Sequence, residues 1–217
     1  MNLPFTIDQF LGVFQNYNLA IWPMQLVFYL LGIGTVYLLV KSSSFSHKII
    51  CAALSFMWIW AGAMYHIMYF STINKAAYLF GLIFILQGFI FLWYGVIKSA
   101  VIFNSENNFH RLAGWLFILY AMVIYPLIGY ILGHAYPQSP VFGVAPCPVT
   151  IFTFGLLLMA DKIKKRLVII PFIWSIIGFF AAISLGIRED LGLLLAGIIG
   201  TAIISFAGRI PKRTSTT

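Results

Sequence analysis

Ile49-Ile50-Cys51-Ala52-Ala53-Leu54-Ser55-Phe56-Met57-Trp58-Ile59-Trp60-Ala61-Gly62-Ala63-Met64-Tyr65-His66-Ile67-Met68-Tyr69-Phe70 runs for 22 residues without an Asp, Glu, Lys or Arg. A helix rises about 1.5 Å per residue, so this stretch can cross a hydrocarbon core of about 30 Å. Its apolar character is continuous rather than alternating, which excludes a strand of a membrane barrel. Six more stretches have the same character: Ala20 to Val40, Ala76 to Ile97, Leu112 to Leu132, Val141 to Ala160, Leu167 to Leu185 and Leu191 to Ala207. The fifth in chain order is rich in proline and the seventh is the shortest. The expected fold is an all-α integral membrane protein, a bundle of seven transmembrane helices.

Composition agrees with that reading. The chain has 217 residues, 62% hydrophobic and only 8% charged. A soluble domain carries about a quarter charged residues. A soluble globule, a disordered chain and a coiled coil are all excluded. The net charge of +8 marks no nucleic-acid surface, because the cations lie between apolar runs rather than along a wettable face. Two cysteines, Cys51 and Cys147, make no disulfide framework. No Lys or Arg precedes Lys41, so no cleavable signal peptide is expected.

The cations also orient the chain. Lys41, Lys48, Lys98, Arg111, Lys162, Lys164, Lys165, Arg166, Arg209, Lys212 and Arg213 fall in connections one, three and five and in the tail. Only Lys75 and Arg188 fall on the other side. The positive-inside rule then puts the N-terminus outside and the C-terminus inside. The expected domains are an outer lead-in over residues 1–19, a membrane domain over 20–207 and a basic cytoplasmic tail over 208–217.

The lead-in is helical in pattern. Thr6 and Gln9 have the spacing of a capping box, and Phe5 and Phe10 that of a hydrophobic staple. Ile7, Phe10, Leu11 and Phe14 share one face. The helix is expected to end near Asn16 to Asn18 and to pack over the outer ends of the spans. Paired landmarks also suggest a 3+1+3 parallel repeat. Trp22-Pro23 and Cys147-Pro148 open spans one and five, and Trp60 and Trp174 sit in spans two and six.

Ionisable residues within a membrane mark function by default. The last span has no Lys for a retinal Schiff base, no span carries the arginines of a voltage sensor, and none has a central carboxylate. Polar groups instead collect at the outer side. His66 and Tyr65 lie near the end of span two, and His134 and Tyr136 close span four. Cys147 and Thr150 begin span five, and Glu189 and Asp190 precede span seven. These eight residues are the candidate ligand pocket.

Each has a plainer reading too. His66 can bond a carbonyl within the bundle, His134 can cap a helix C-terminus, and the two carboxylates can suit a helix N-terminus. Arg188 is placed to pair with either carboxylate, and Tyr65 and Tyr136 fit an aromatic belt. His66, His134 and Cys147 are the candidate metal ligands, with Met24, Met64 and Met68 near them. Their spacing matches no structural zinc or haem-attachment pattern. No cofactor is expected.

Between Gln138 and Pro148 the prolines and Gly143 prevent a regular helix. Irregular backbone at membrane depth must be buried in protein or line a cavity. Val141 to Pro148 is therefore expected to dip into the outer bundle as a plug or a site wall. The amides near Thr150 and Thr153 would then begin the next helix and face a ligand.

The run Gly133-His134-Ala135-Tyr136-Pro137, Pro140-Val141-Phe142-Gly143 and Pro146-Cys147-Pro148-Val149-Thr150 resembles domain-of-unknown-function family 6064. Phe5 to Phe14, Trp22-Pro23, Trp60 to His66, Leu79-Phe80-Gly81 and Glu189-Asp190-Leu191-Gly192-Leu193 match as well. The resemblance implies a bacterial multi-pass membrane protein, which in this orientation means the inner (plasma) membrane. It implies no activity. Its landmarks coincide with the outer pocket.

The first expectation for function is therefore transport or binding of a small solute or ion at an outer polar pocket. The expected partners are the lipid bilayer and that ligand, with no nucleic acid. The alternatives are a membrane-embedded enzyme or metal-binding protein using His66, His134 and Cys147, and an assembly protein without a ligand.

Overall fold

The computed structural model describes residues 4–161 and 163–206. Lys162, Ala207 and the basic tail with Arg209, Lys212 and Arg213 lie outside the described residues. Among the described residues the fold is all-helical, without a strand. The elements are α1 (Ile7–Ala20), α2 (Met24–Lys41), α3 (Ser44–Trp60), α4 (Ala77–Phe91), α5 (Asn108–Leu119), α6 (Tyr125–Ile131), α7 (Pro146–Leu158), α8 (Arg166–Leu185) and α9 (Leu191–Phe206).

Wider π-turns continue three of these: Ala61–Tyr69 after α3, Leu92–Ile97 after α4, and Tyr120–Ile124 between α5 and α6. Among the described residues six helical stretches are long and apolar enough to cross a membrane: Met24–Lys41, Ser44–Thr72, Ala77–Ile97, Asn108–Ile131, Arg166–Leu185 and Arg188–Phe206. Helices α2, α4, α5 and α6 turn large apolar side chains outward, including Leu30, Leu82 and Leu127. So broad an exposed apolar surface needs lipid around it.

The fifth expected span departs from the expectation. Its helix, α7, has 13 residues, or about 20 Å by helical rise, less than a hydrocarbon core. Every residue of α7 except Cys147 is buried. Helices α3, α5, α8 and α9 all pack on it. A helix apolar all round belongs at the centre of a bundle. α7 is that centre, whereas its expected repeat partner α2 faces outward.

Val141 to Ala145 precede α7 without helical order, and Phe142, Gly143, Val144 and Ala145 are buried. The dip expected for this segment is present. It is shorter than expected, because Pro146 to Pro148 already form the first turn of α7.

Two in-span prolines show how the bundle keeps its backbone satisfied. Pro126 and Pro171 lack an N–H, which frees the carbonyls four residues earlier, Met122 and Leu167. Tyr29 Oη donates to Met122 O at 3.3 Å, and Gln87 Nε2 donates to Leu167 O at 3.0 Å. A neighbouring helix thus supplies the missing donor in each case.

α3 and its π-turn pack closely on α4. Gly81, Gly88 and Gly95 recur every seven residues on α4 and its π-turn. A Cβ at Gly81 would stand 2.8 Å from Gly62 O, one at Gly88 would stand 2.8 Å from Ser55 O, and one at Gly95 would run into Cys51. Such small-residue contacts replace the hydrophobic drive that is missing between helices in lipid.

α1 forms as expected but runs on to Ala20. Gln9 N donates to Thr6 Oγ1 at 3.3 Å and Thr6 N to Gln9 Oε1 at 2.9 Å, which completes the capping box. Phe5 and Phe10 stack with centroids 6.0 Å apart. The helix packs on the π-turn of α3, with Phe14 stacked on Tyr65 at 4.9 Å.

Candidate functional site

The Pro-rich loop is held from above by α1. Asn18 Nδ2 donates to Pro137 O at 2.7 Å and Ser139 O at 2.8 Å. Tyr17 Oη donates to Val144 O at 2.9 Å and accepts from Trp60 Nε1 at 2.8 Å. Burial raises the Tyr17 hydroxyl above the ordinary phenol range, so it keeps the proton that this bond requires.

Beneath α1 lies a cavity of about 260 Å³. α1, the end of α3, the start of α4, the Pro-rich loop, α8 and the turn before α9 surround it. Its wall is mostly aromatic and aliphatic, with Phe14, Tyr65, Phe70, Phe80 and Trp174 prominent. Asn74, Cys147 and Asp190 supply polarity. Ligand sites are commonly apolar hollows with a few placed polar groups, of roughly 300–1,000 Å³. This one lies just below that range.

Of the eight expected pocket residues, Tyr65, Cys147 and Asp190 line the cavity. The sequence places Glu189 and Asp190 in an outer connection, but the structure buries both. Tyr125 Oη donates to Asp190 Oδ1 at 2.6 Å, and Tyr120 Oη to Glu189 O at 2.7 Å. The Cys147 thiol interacts with the Asp190 carboxylate. His134 Nδ1 pairs with Glu189 Oε1 at 2.8 Å and does not reach the cavity. Arg188 takes neither carboxylate, since His134 and Tyr125 fill those places and Arg188 is exposed.

The remaining three stand apart from the cavity. His66 is fully buried behind its wall, among Phe84 at 4.7 Å, Trp174 at 4.9 Å and Tyr65 at 5.2 Å. Neither ring nitrogen has a hydrogen-bond partner among the described residues, so the expected carbonyl bond is not made there. Tyr136 is half exposed. Thr150 and Thr153 are buried in the body of α7, where their hydroxyls donate to Pro146 O and Val149 O, each at 2.8 Å. The start of α7 therefore offers a ligand little: two of its first three residues are prolines without an N–H.

The three candidate metal ligands do not assemble. His134 belongs to Glu189, Cys147 to Asp190, and His66 to an aromatic box. Among the described residues no group of three or more His, Cys, Asp or Glu could hold a metal ion.

Sequence reasoning missed Tyr125 as the support of Asp190, Trp174 as cavity wall, and Tyr17 and Asn18 as the latch of the loop. Trp174 stood out only as a repeat landmark. Its matched residue, Trp60, instead bonds Tyr17. Asn18 carried one signal, an amide at the expected end of the first helix.

Among the described residues, an all-helical fold with six membrane-length apolar helices and a cavity at one end defines a class of membrane protein rather than an activity. Within that class the chain belongs to the family described as "Family of unknown function (DUF6064)", whose model matches residues 7–215. Comparison with curated proteins and with solved structures gave no match.

Proposed function

We propose that this protein is a multi-pass protein of the bacterial plasma membrane that binds a small molecule in the cavity under α1. The proposed path has seven crossings, with the N-terminus outside, the C-terminus inside and the cavity at the outer face. α7 and its irregular lead-in make the fifth crossing. The crossings group as α2–α4, α5–α6 and α7–α9, the 3+1+3 order.

The observation that carries this reading is a partly open space of about 260 Å³ with a fixed carboxylate on a mostly apolar wall. Burying such a group costs free energy unless it is paired, and a site is a common reason to keep one. Binding is favoured over a conducting pore, because Val149 to Leu158 fill the centre of the bundle with buried side chains. A second hollow, of about 200 Å³ near Lys165, shares no residue with the first.

The test is thermal unfolding of purified protein in detergent against a panel of small aromatic and aliphatic fragments. Ligand at a hundredfold excess over its Kd stabilises by about 2.7 kcal/mol. Saturable stabilisation is expected for at least one fragment and should vanish in Ala181→Phe, which fills the cavity. Equal stabilisation of wild type and Ala181→Phe would locate binding elsewhere, and a panel without effect would overturn the reading.

A further inference from the structure

We propose that the ligand is an organic ammonium with an oxygen acceptor close to its nitrogen, the nitrogen at Asp190 and the apolar body among the aromatic rings. This rests on the cavity being a ligand site. The surroundings of Asp190 carry the proposal. Among the described residues it is the one carboxylate on the wall, and no Lys, Arg or His lines the cavity. The nearest candidates for a protein counter-ion are otherwise placed: Arg188 is exposed and His134 is held by Glu189. Tyr125 does not line the cavity, so it fixes the carboxylate from behind the wall. A carboxylate held in this way has no cation beside it among the described residues, and when ionised a buried charge left unpaired is costly.

The walls fit the same chemistry. Tyr65, Phe70, Phe80 and Trp174 line the space, and aromatic faces within about 6 Å attract cations. Trp174 supplies a second, independent observation. It is 8% exposed, and its indole N–H, set beside the Cys147 sulfur, makes no hydrogen bond to a nitrogen or oxygen among the described residues. A ligand carrying an ether or hydroxyl oxygen beside the ammonium satisfies Trp174 and Asp190 together. This chemistry could come from a free amine or from the ethanolamine headgroup of a lipid.

The experiment measures binding of three matched probes to the full-length protein in detergent: 2-phenoxyethylamine, 2-phenoxyethanol and phenoxyacetate. They share a ring and an ether oxygen and differ in charge. The amine is expected to bind at least about tenfold tighter than the alcohol, as a charge-assisted hydrogen bond would give, with the acid weakest. Asp190→Asn should erase the gap between amine and alcohol. Should that variant not fold, the wild-type series decides alone. Equal binding of amine and alcohol, or tighter binding of the acid, overturns the ammonium assignment while leaving the cavity as a ligand site. Binding of none of the three removes both. Repeating the amine titration in nanodiscs separates the sources: competition by phosphatidylethanolamine over phosphatidylglycerol supports a lipid headgroup, and its lack supports a free amine.

Discussion

The Tyr125 hydroxyl donates to Asp190 Oδ1 at 2.6 Å, joining α6 to the turn before α9 across 65 residues of sequence. Both residues are buried, and nothing else on α6 reaches this carboxylate by a hydrogen bond. Tyr125→Phe keeps the ring and removes only the donor. Leaving a buried acceptor unsatisfied costs about 1–3 kcal/mol. The variant should unfold at a lower temperature than wild type, read by intrinsic fluorescence in detergent. It should also bind the ammonium probe more weakly, because Asp190 would no longer be held. An unchanged melting temperature would mean that Asp190 is oriented by other groups.

The two in-span prolines make a sharper test, because one change should correct another. Gln87→Leu leaves the Leu167 carbonyl without a donor and should destabilise by about 1–3 kcal/mol. Pro171→Ala restores the backbone N–H four residues on from Leu167. In the double variant that carbonyl has a helical partner again, and most of the loss should return. A double-mutant cycle on unfolding free energies measures the coupling. Simple additivity would show that Gln87 does not act through the proline's missing donor.

Much of this architecture could be read from the chain. Ile49 to Phe70 announced a span by its length and lack of charge, and Thr6 with Gln9 announced the cap. The position of α7 could not be read in that way. A segment as uniformly apolar as Val149 to Leu158 has no polar face, so its periodicity says nothing about which side is buried. The candidate site was legible as an inventory and not as a pairing. His134 and Glu189 were both named, yet only the folded chain brings them to 2.8 Å across 55 residues. His66 was expected to find a carbonyl. The π-turn from Ala61 to Tyr69 shifts the register there, and nothing in the residue types signals such a turn.

Asn18 holds the Pro-rich loop through two carbonyls, at Pro137 and Ser139. Asn18→Ala should loosen the loop while leaving the bundle intact. Hydrogen exchange of the segment from His134 to Ala145 should speed up by at least about tenfold, since two hydrogen bonds of about 1 kcal/mol each exceed the 1.4 kcal/mol that equals a tenfold change. Exchange in α3 and α4 should not change. Faster exchange throughout would make Asn18 a general stabiliser rather than a latch.

His66 is fully buried with neither nitrogen satisfied, in a box of Phe84, Trp174, Phe80, Phe70 and Tyr65. An unsatisfied buried polar group costs about 1–3 kcal/mol, so an aromatic without polar atoms should fit this box at least as well. His66→Phe is expected to melt at or above the wild-type temperature. A fall equivalent to about 2 kcal/mol or more would show that the imidazole has a partner in the folded protein. Loss of probe binding without loss of stability would instead tie His66 to the cavity it stands behind.

Cys147 allows orientation and cavity charge to be tested in one experiment. It lines the cavity, whereas Cys51 is buried against Gly95. In a Cys51→Ala background, intact cells are treated with two membrane-impermeant thiosulfonates, one bearing trimethylammonium and one bearing sulfonate. Each forms a mixed disulfide with the Cys147 thiolate and releases methanesulfinate. If the cavity is at the outer face, both reach Cys147 from outside. The cationic reagent should react faster, because Asp190 repels the sulfonate and attracts the ammonium. Excess 2-phenoxyethylamine should slow both reactions by occupying the same space. Labelling only after the cells are opened would invert the proposed topology. Faster reaction with the sulfonate would mean that the cavity does not select cations, whichever way the bundle faces.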